Sequence, residues 1–156
     1  MQLEHVFQES LVEWEWEDEI IREDGDESIF YVKTPYEIED VIHNLTIIVW
    51  PQRSLIRFLI SSPIDVPKNR LHVAFEVINY LNRGLWMGGF VIAVEEEAGE
   101  ILFLVSTTVE GTEASIEQFS RLRGEAYQAF NKETQRVFRL VSETKASAAE
   151  IISVIE

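Results

Sequence analysis

The chain contains no cysteine, which excludes a disulfide framework, a thiolate zinc site and a cysteine nucleophile. That absence fits a reducing cytoplasm, where the protein is expected to reside. Basic residues are scarce, with 13 Lys and Arg against 28 Asp and Glu and a net charge of −15. Such a balance opposes attraction to a phosphate backbone, so nucleic acid is not an expected partner. No apolar run reaches the ~20 residues of a spanning helix before Glu or Arg interrupts it. The first ten residues lack a basic stretch followed by an apolar one, so neither a membrane segment nor a secretory signal is expected.

What is present is ordinary for a folded protein. Apolar residues make up 46% of the chain and charged residues 26%, which argues against disorder of the whole. A chain of 156 residues fits one domain that buries roughly two-thirds of its unfolded surface. The single domain is expected over 1–156, with an acidic helix and strand region at 1–40 and a short C-terminal helix at 146–156. Half of the acidic residues precede His43, whereas only Arg22 and Lys33 of the basic ones do. This front is read as a solvated face, with docking of a basic partner as the alternative.

Leu3, Val6, Phe7 and Leu11 recur at helical spacing and predict an N-terminal helix. After it Trp14 and Trp16 alternate with Glu, which suits an extended segment with one buried face. Residues 22–28 read as a turn, with Gly25 able to take positive φ, and "SIFYVKT" reads as a strand. The runs "NLTIIVW" and "SLIRFLISS", joined by "PQR", predict a hairpin. In its return strand Arg57 shares a face with Leu55 and Leu59, so that face is at least partly wet.

"SPIDVPKNRLHVAFEVINYLNRG" carries the punctuation of a helix. Asp65 is placed to cap it, Pro67 to sit in its first turn and Gly84 to close it as a left-handed C-cap. Leu71, Ala74, Phe75, Ile78 and Leu81 then form a stripe that needs a sheet to cover. "FVIAVEE" and "EILFLVSTTVEG" follow, joined by the turn "EAG", with Glu95 to Glu97 as a charged hairpin turn. Gly88 and Gly89 lie between a helix end and a strand start, whereas a phosphate-cradling loop puts its glycines between a strand and a helix start. From 115 to 142 a long amphipathic helix is predicted, broken near Asn131, with Arg121, Lys132, Arg136 and Arg139 on its outer face.

No pattern of catalysis emerges. His5, His43 and His72 fall on separate elements without metal-ligand spacing. Glu15, Glu17, Asp18 and Glu19 lack the glycine and spacing of a calcium loop, and adjacent carboxylates on an extended chain point to alternate faces. No nucleophile elbow, HExxH or kinase-type pattern occurs. The catalytic, cofactor and metal inventories are therefore empty, and an enzyme reading has only convergent acids and His43 to draw on.

Large aromatics are the remaining signal, since Trp14, Trp16, Trp50 and Trp86 can anchor a partner or fill the core. Trp86 and Met87 stand in a helix-to-strand connection, where a large apolar side chain is less readily hidden. With Arg57 and Trp16 they are the candidate partner-binding residues. The final hairpin is apolar on both faces, with Phe90, Ile92 and Val94 opposing Val91 and Ala93, and Leu102 and Leu104 opposing Ile101, Phe103 and Val105. If helices cover one face only, the second needs another layer, and a second subunit is the favoured candidate.

The order of helix, strands, helix, two-stranded hairpin and long helix now stands. Together with the helix ending in "YLNR", the link to "GGFVI", the acidic turn and the strand "ILFLVSTTV", it resembles the YbjN family of bacterial proteins, described as sensory transduction regulators. The likeness spans roughly 63–142; residues 14–40 have no counterpart in the pattern. It implies an α+β fold similar to type III secretion chaperones, with helices packed on one antiparallel sheet, commonly as homodimers that bind partner polypeptide. The expected function is a non-enzymatic, cytoplasmic protein-binding module, chaperone-like or regulatory. The alternative is a small-molecule sensor with a pocket between the long helix and the sheet, lined by Phe75, Phe119 and Phe130.

Overall fold

A computed structural model describes residues 2–23, 25, 28–109 and 114–156. These residues form an antiparallel sheet with helices, the α+β class expected. The strands are β1 (Ile21–Glu23), β2 (Ile29–Ile38), β3 (Val41–Trp50), β4 (Leu55–Pro67), β5 (Gly89–Val94) and β6 (Ala98–Thr108), in the spatial order β1-β2-β3-β4-β6-β5. The helices are α1 (Gln2–Glu13), α2 (Leu71–Arg83), α3 (Ile116–Ala129), α4 (Lys132–Glu143) and α5 (Ala148–Ile155). Of the turn expected at 22–28, Arg22 and Glu23 belong to β1 and residues 24, 26 and 27 lie outside the described residues, as does the end of the run after Val109.

The alternation read from β3 and β4 is realised in their burial. Leu45, Ile47 and Val49 on β3 and Ile56, Phe58 and Ile60 on β4 are fully buried, while Thr46, Ile48, Trp50, Leu55, Arg57 and Leu59 between them stay partly exposed. Helices cover the first of these faces. Phe7 of α1 stacks on Phe30 and Phe119, and Phe130 and Phe138 meet Phe90 edge-on. Each aromatic pair adds roughly 1 kcal/mol beyond the area it buries.

Three expectations about α2 are corrected. Asp65 and Pro67 do not open the helix, because β4 runs on to Pro67 and pairs with Glu100, Gly99 and Ala98. An irregularity between Ser61 and Asp65 places Pro63 where no ladder hydrogen bond is required, so proline is tolerated inside the strand. The helix begins at Leu71 after a short 3-10 turn, Lys68–Arg70. Gly84 ends it in a right-handed conformation, with φ −89°. Ala74 and Ile78 of the predicted stripe are buried with Val73 and Val77, but Phe75 is 46% exposed.

The later elements follow their caps. Ser115 and Gln118 form a reciprocal capping box at the start of α3, and the Asn131 side chain accepts from the Thr134 amide at 3.0 Å to open α4. Caps of this kind contribute about 1 kcal/mol each, which explains why the long amphipathic stretch breaks at Asn131. Arg121, Lys132, Arg136 and Arg139 are all exposed, as expected. Ser147 caps the short C-terminal helix. In the hairpin the tip is Glu95 to Glu97, while Gly99 of the expected "EAG" turn lies within β6, opposite Val94.

Candidate functional site on the uncovered face of the sheet

The face of the sheet turned away from the helices is built from cross-strand rows. Tyr31, Ile48, Arg57 and Ser106 stand opposite one another, and beside them Lys33, Thr46, Leu59 and Leu104 form the next row. Trp50 and Leu55 extend the surface towards the hairpin turn, and Leu102 and Val91 extend it towards β5. Seven residues of rise across four strands give this surface roughly 450 Å². On it apolar Ile48, Leu59 and Leu104 lie among polar Tyr31, Lys33, Thr46, Arg57 and Ser106.

Its charge is distinctive. In a chain of net charge −15, these rows hold no carboxylate; Glu23, Glu37, Asp65 and Glu100 lie around the rim. The two cations rest on aromatic rings, Arg57 at 5.3 Å from the Trp50 centroid and Lys33 at 5.4 Å from that of Tyr31. Arg57 Nε also donates to Ser106 Oγ at 2.9 Å, which fixes the guanidinium over the sheet. At the rim the Tyr31 hydroxyl donates to Glu23 at 3.0 Å, and that bond raises its pKa above the usual tyrosine value.

The four predicted contact residues do not converge on this surface. Arg57 lies at its centre. Trp16 is on the helix-covered side, edge-on to Trp14 at 5.0 Å and to Tyr36 of β2 at 5.8 Å, while Trp14 reaches α3 through Ser120 and Arg123. Met87 is half-buried against the core. Trp86 is 89% exposed in the link between α2 and β5, so the core reading for it is excluded. Sequence reasoning named Trp50 as a possible anchor but passed over Lys33, Leu59 and Leu104. The signal was present in the strand alternation, which puts all of them on the side of Arg57.

The residues read for the two alternatives lie apart or buried. Phe75, Phe119 and Phe130 line no common pocket: Phe119 and Phe130 are fully buried in aromatic stacks, and Phe75 is exposed on α2. His43 is 1% exposed and accessible to no substrate from solvent; its Nδ1 lies 3.1 Å from the Ser61 carbonyl. Among the described residues no cluster of three or more His, Asp or Glu is placed to hold a metal. No described helix is long and apolar enough to cross a membrane.

No protein-family model and no curated relative matches the chain. Among solved structures it is similar to YbjN of E. coli, described as a candidate transcription regulator, with a TM-score of 0.51 and 11% sequence identity over 78% of this chain and 81% of that one. This likeness supports an α+β fold, which in this chain is six antiparallel strands with helices against one face.

Proposed function

We propose that the chain is a non-enzymatic protein-binding module, chaperone-like or regulatory, that associates through the uncovered face of its sheet. The observation that carries this reading is the acid-free surface centred on Arg57, Leu59 and Leu104 in an otherwise acidic molecule. Charged groups are depleted at the cores of protein interfaces, whereas aromatic residues and Arg are enriched there. A second copy of the chain is the proposed occupant, because a two-fold contact uses the same patch on both copies, would cover the apolar Ile48, Leu59 and Leu104 of each, and would leave the carboxylates of both copies at the rim. The cytoplasm is the proposed location.

The test is native mass spectrometry on the full chain purified gently from its own host. A dimer that Leu59→Glu converts to monomer supports the reading. A dimer unaffected by that substitution places the interface elsewhere, and a monomer holding no polypeptide overturns the proposal.

A further inference from the structure

His43 occupies the place where the tip of the β2–β3 hairpin meets the corner between α3 and α4. Three ties hold that junction. The Glu39 carboxylate accepts from the Lys132 backbone amide, the Gln135 side chain donates to the Ile38 carbonyl at 3.3 Å and the Phe130 carbonyl at 2.8 Å, and the His43 ring lies 4.8 Å from that of Phe130. Phe130 is the residue between the two helices. The tip itself is strained, since Glu39 (φ 48°) and Asp40 (φ 70°) both take left-handed backbone that costs non-glycine residues energy. It therefore relies on its neighbours to stay in place.

The hydrogen bonding of His43 is one-sided. A carbonyl oxygen can only accept, so Nδ1 carries the proton towards Ser61, and Nε2 holds a bare lone pair that no described group meets. An unmet acceptor is tolerable in an apolar surround. A proton added there creates both a buried charge and a buried donor without a partner, which is far more costly.

We propose that His43 is an acid-sensitive latch: neutral, it seats the hairpin tip against the α3–α4 corner, and protonated it releases that corner. The surroundings offer the added charge no compensation. From β2 the neighbour is Tyr36, whose hydroxyl is kept neutral by burial, and from β4 it is the Ser61 backbone. From the corner come Phe130 and Gln135, the amide nitrogen of Gln135 being already committed to two carbonyls. Arg123 and Tyr127 act on Tyr36, and Glu39 and Asp40 have no described bond to the imidazole. Burial lowers the His43 pKa, with the Ser61 hydrogen bond as the smaller, opposing influence.

The experiment is amide hydrogen exchange on the full chain at pH 7.5, 6.5 and 5.5, corrected for intrinsic exchange, with an NMR titration of the three imidazoles. Protection in residues 38–45 and 130–138 is expected to fall by up to about tenfold per pH unit below about 6.5, while α2 stays unchanged. His43→Gln removes the response and Glu39→Gln keeps it. The titration of the His43 ring does not depend on any variant folding. A uniform loss of protection, an unaltered response in His43→Gln, or a His43 ring that titrates at or above the ordinary imidazole value of about 6.5 overturns the latch.

Discussion

The side-chain amide of Asn82 meets the backbone of Phe90 as a neighbouring strand would. Its Nδ2 donates to the Phe90 carbonyl at 2.9 Å and its Oδ1 accepts from the Phe90 amide at 2.7 Å. In an antiparallel ladder successive residues point their backbone groups to opposite sides. Phe90 therefore faces the open edge of the sheet, and α2 closes that edge at this one point. Asn82→Ala is expected to lower stability by about 1–3 kcal/mol, because it leaves a backbone donor and acceptor unpaired. Urea denaturation measures the loss, and faster exchange of the Phe90 amide localises it. An unchanged midpoint would show that solvent satisfies the edge equally well.

Leu59→Glu puts a carboxylate in the middle of the acid-free face. Association is expected to be lost by light scattering after gel filtration, with far-UV circular dichroism retained and stability changed by no more than about 1 kcal/mol, since Leu59 is only partly buried. Val12→Glu, at a position 76% exposed on α1, should leave association as it was. Equal effects of the two substitutions would point to net charge in place of the sheet face.

Mild acid should destabilise the chain through His43. Its pKa is lowered in the folded state by burial, so between that value and the unfolded value of about 6.5 the unfolded chain binds more protons. The stability contributed by a neutral His43 is complete above pH 6.5 and is lost as the pH falls through the folded pKa. Thermal melts from pH 7.5 to 5 should show the fall in midpoint, and His43→Gln should flatten it. A slope that persists in His43→Gln assigns the effect to the carboxylates.

Arg70 ties distant segments together: Nε donates to the Val141 carbonyl at 2.7 Å and Nη2 to the Ala146 carbonyl at 2.6 Å. These carbonyls lie near the end of α4, where a cation also suits the helix dipole. Arg70→Ala is expected to cost about 2–4 kcal/mol, and Arg70→Lys less, since an ammonium does not reproduce the fork. Equal losses in the two variants would show that the forked geometry adds nothing.

Gly88 takes φ +73°, and a Cβ there would sit 2.6 Å from Phe103 Cζ and 2.7 Å from the Leu104 carbonyl oxygen. Gly88→Ala should therefore destabilise by about 2–4 kcal/mol, read from a chemical melt. Gly84→Ala, with right-handed backbone and no contact closer than 3.6 Å, should be tolerated. Similar tolerance at both positions would mean that the β5 link can shift.

The sequence by itself determined the elements whose cause is local. The period of Leu3, Val6, Phe7 and Leu11 made a helix because one stripe of it can be buried. Asn131 broke the long amphipathic stretch because its side chain caps the following turn. Strand alternation marked the side of Arg57 as wet. The start of α2 was misread because Asp65 and Pro67 carry genuine helix-start chemistry, and only pairing with β6, more than thirty residues later, holds them in a strand. The same kind of long-range contact decided what the function rests on. Placing β6 between β4 and β5 sets Leu59 against Leu104, and the helices gather on the other face. Asn82 reaches the β5 edge, and His43 faces Phe130 across 87 residues. Local periodicity tells which face of a strand is apolar, but whether helix, solvent or partner covers that face depends on packing between segments remote in the chain.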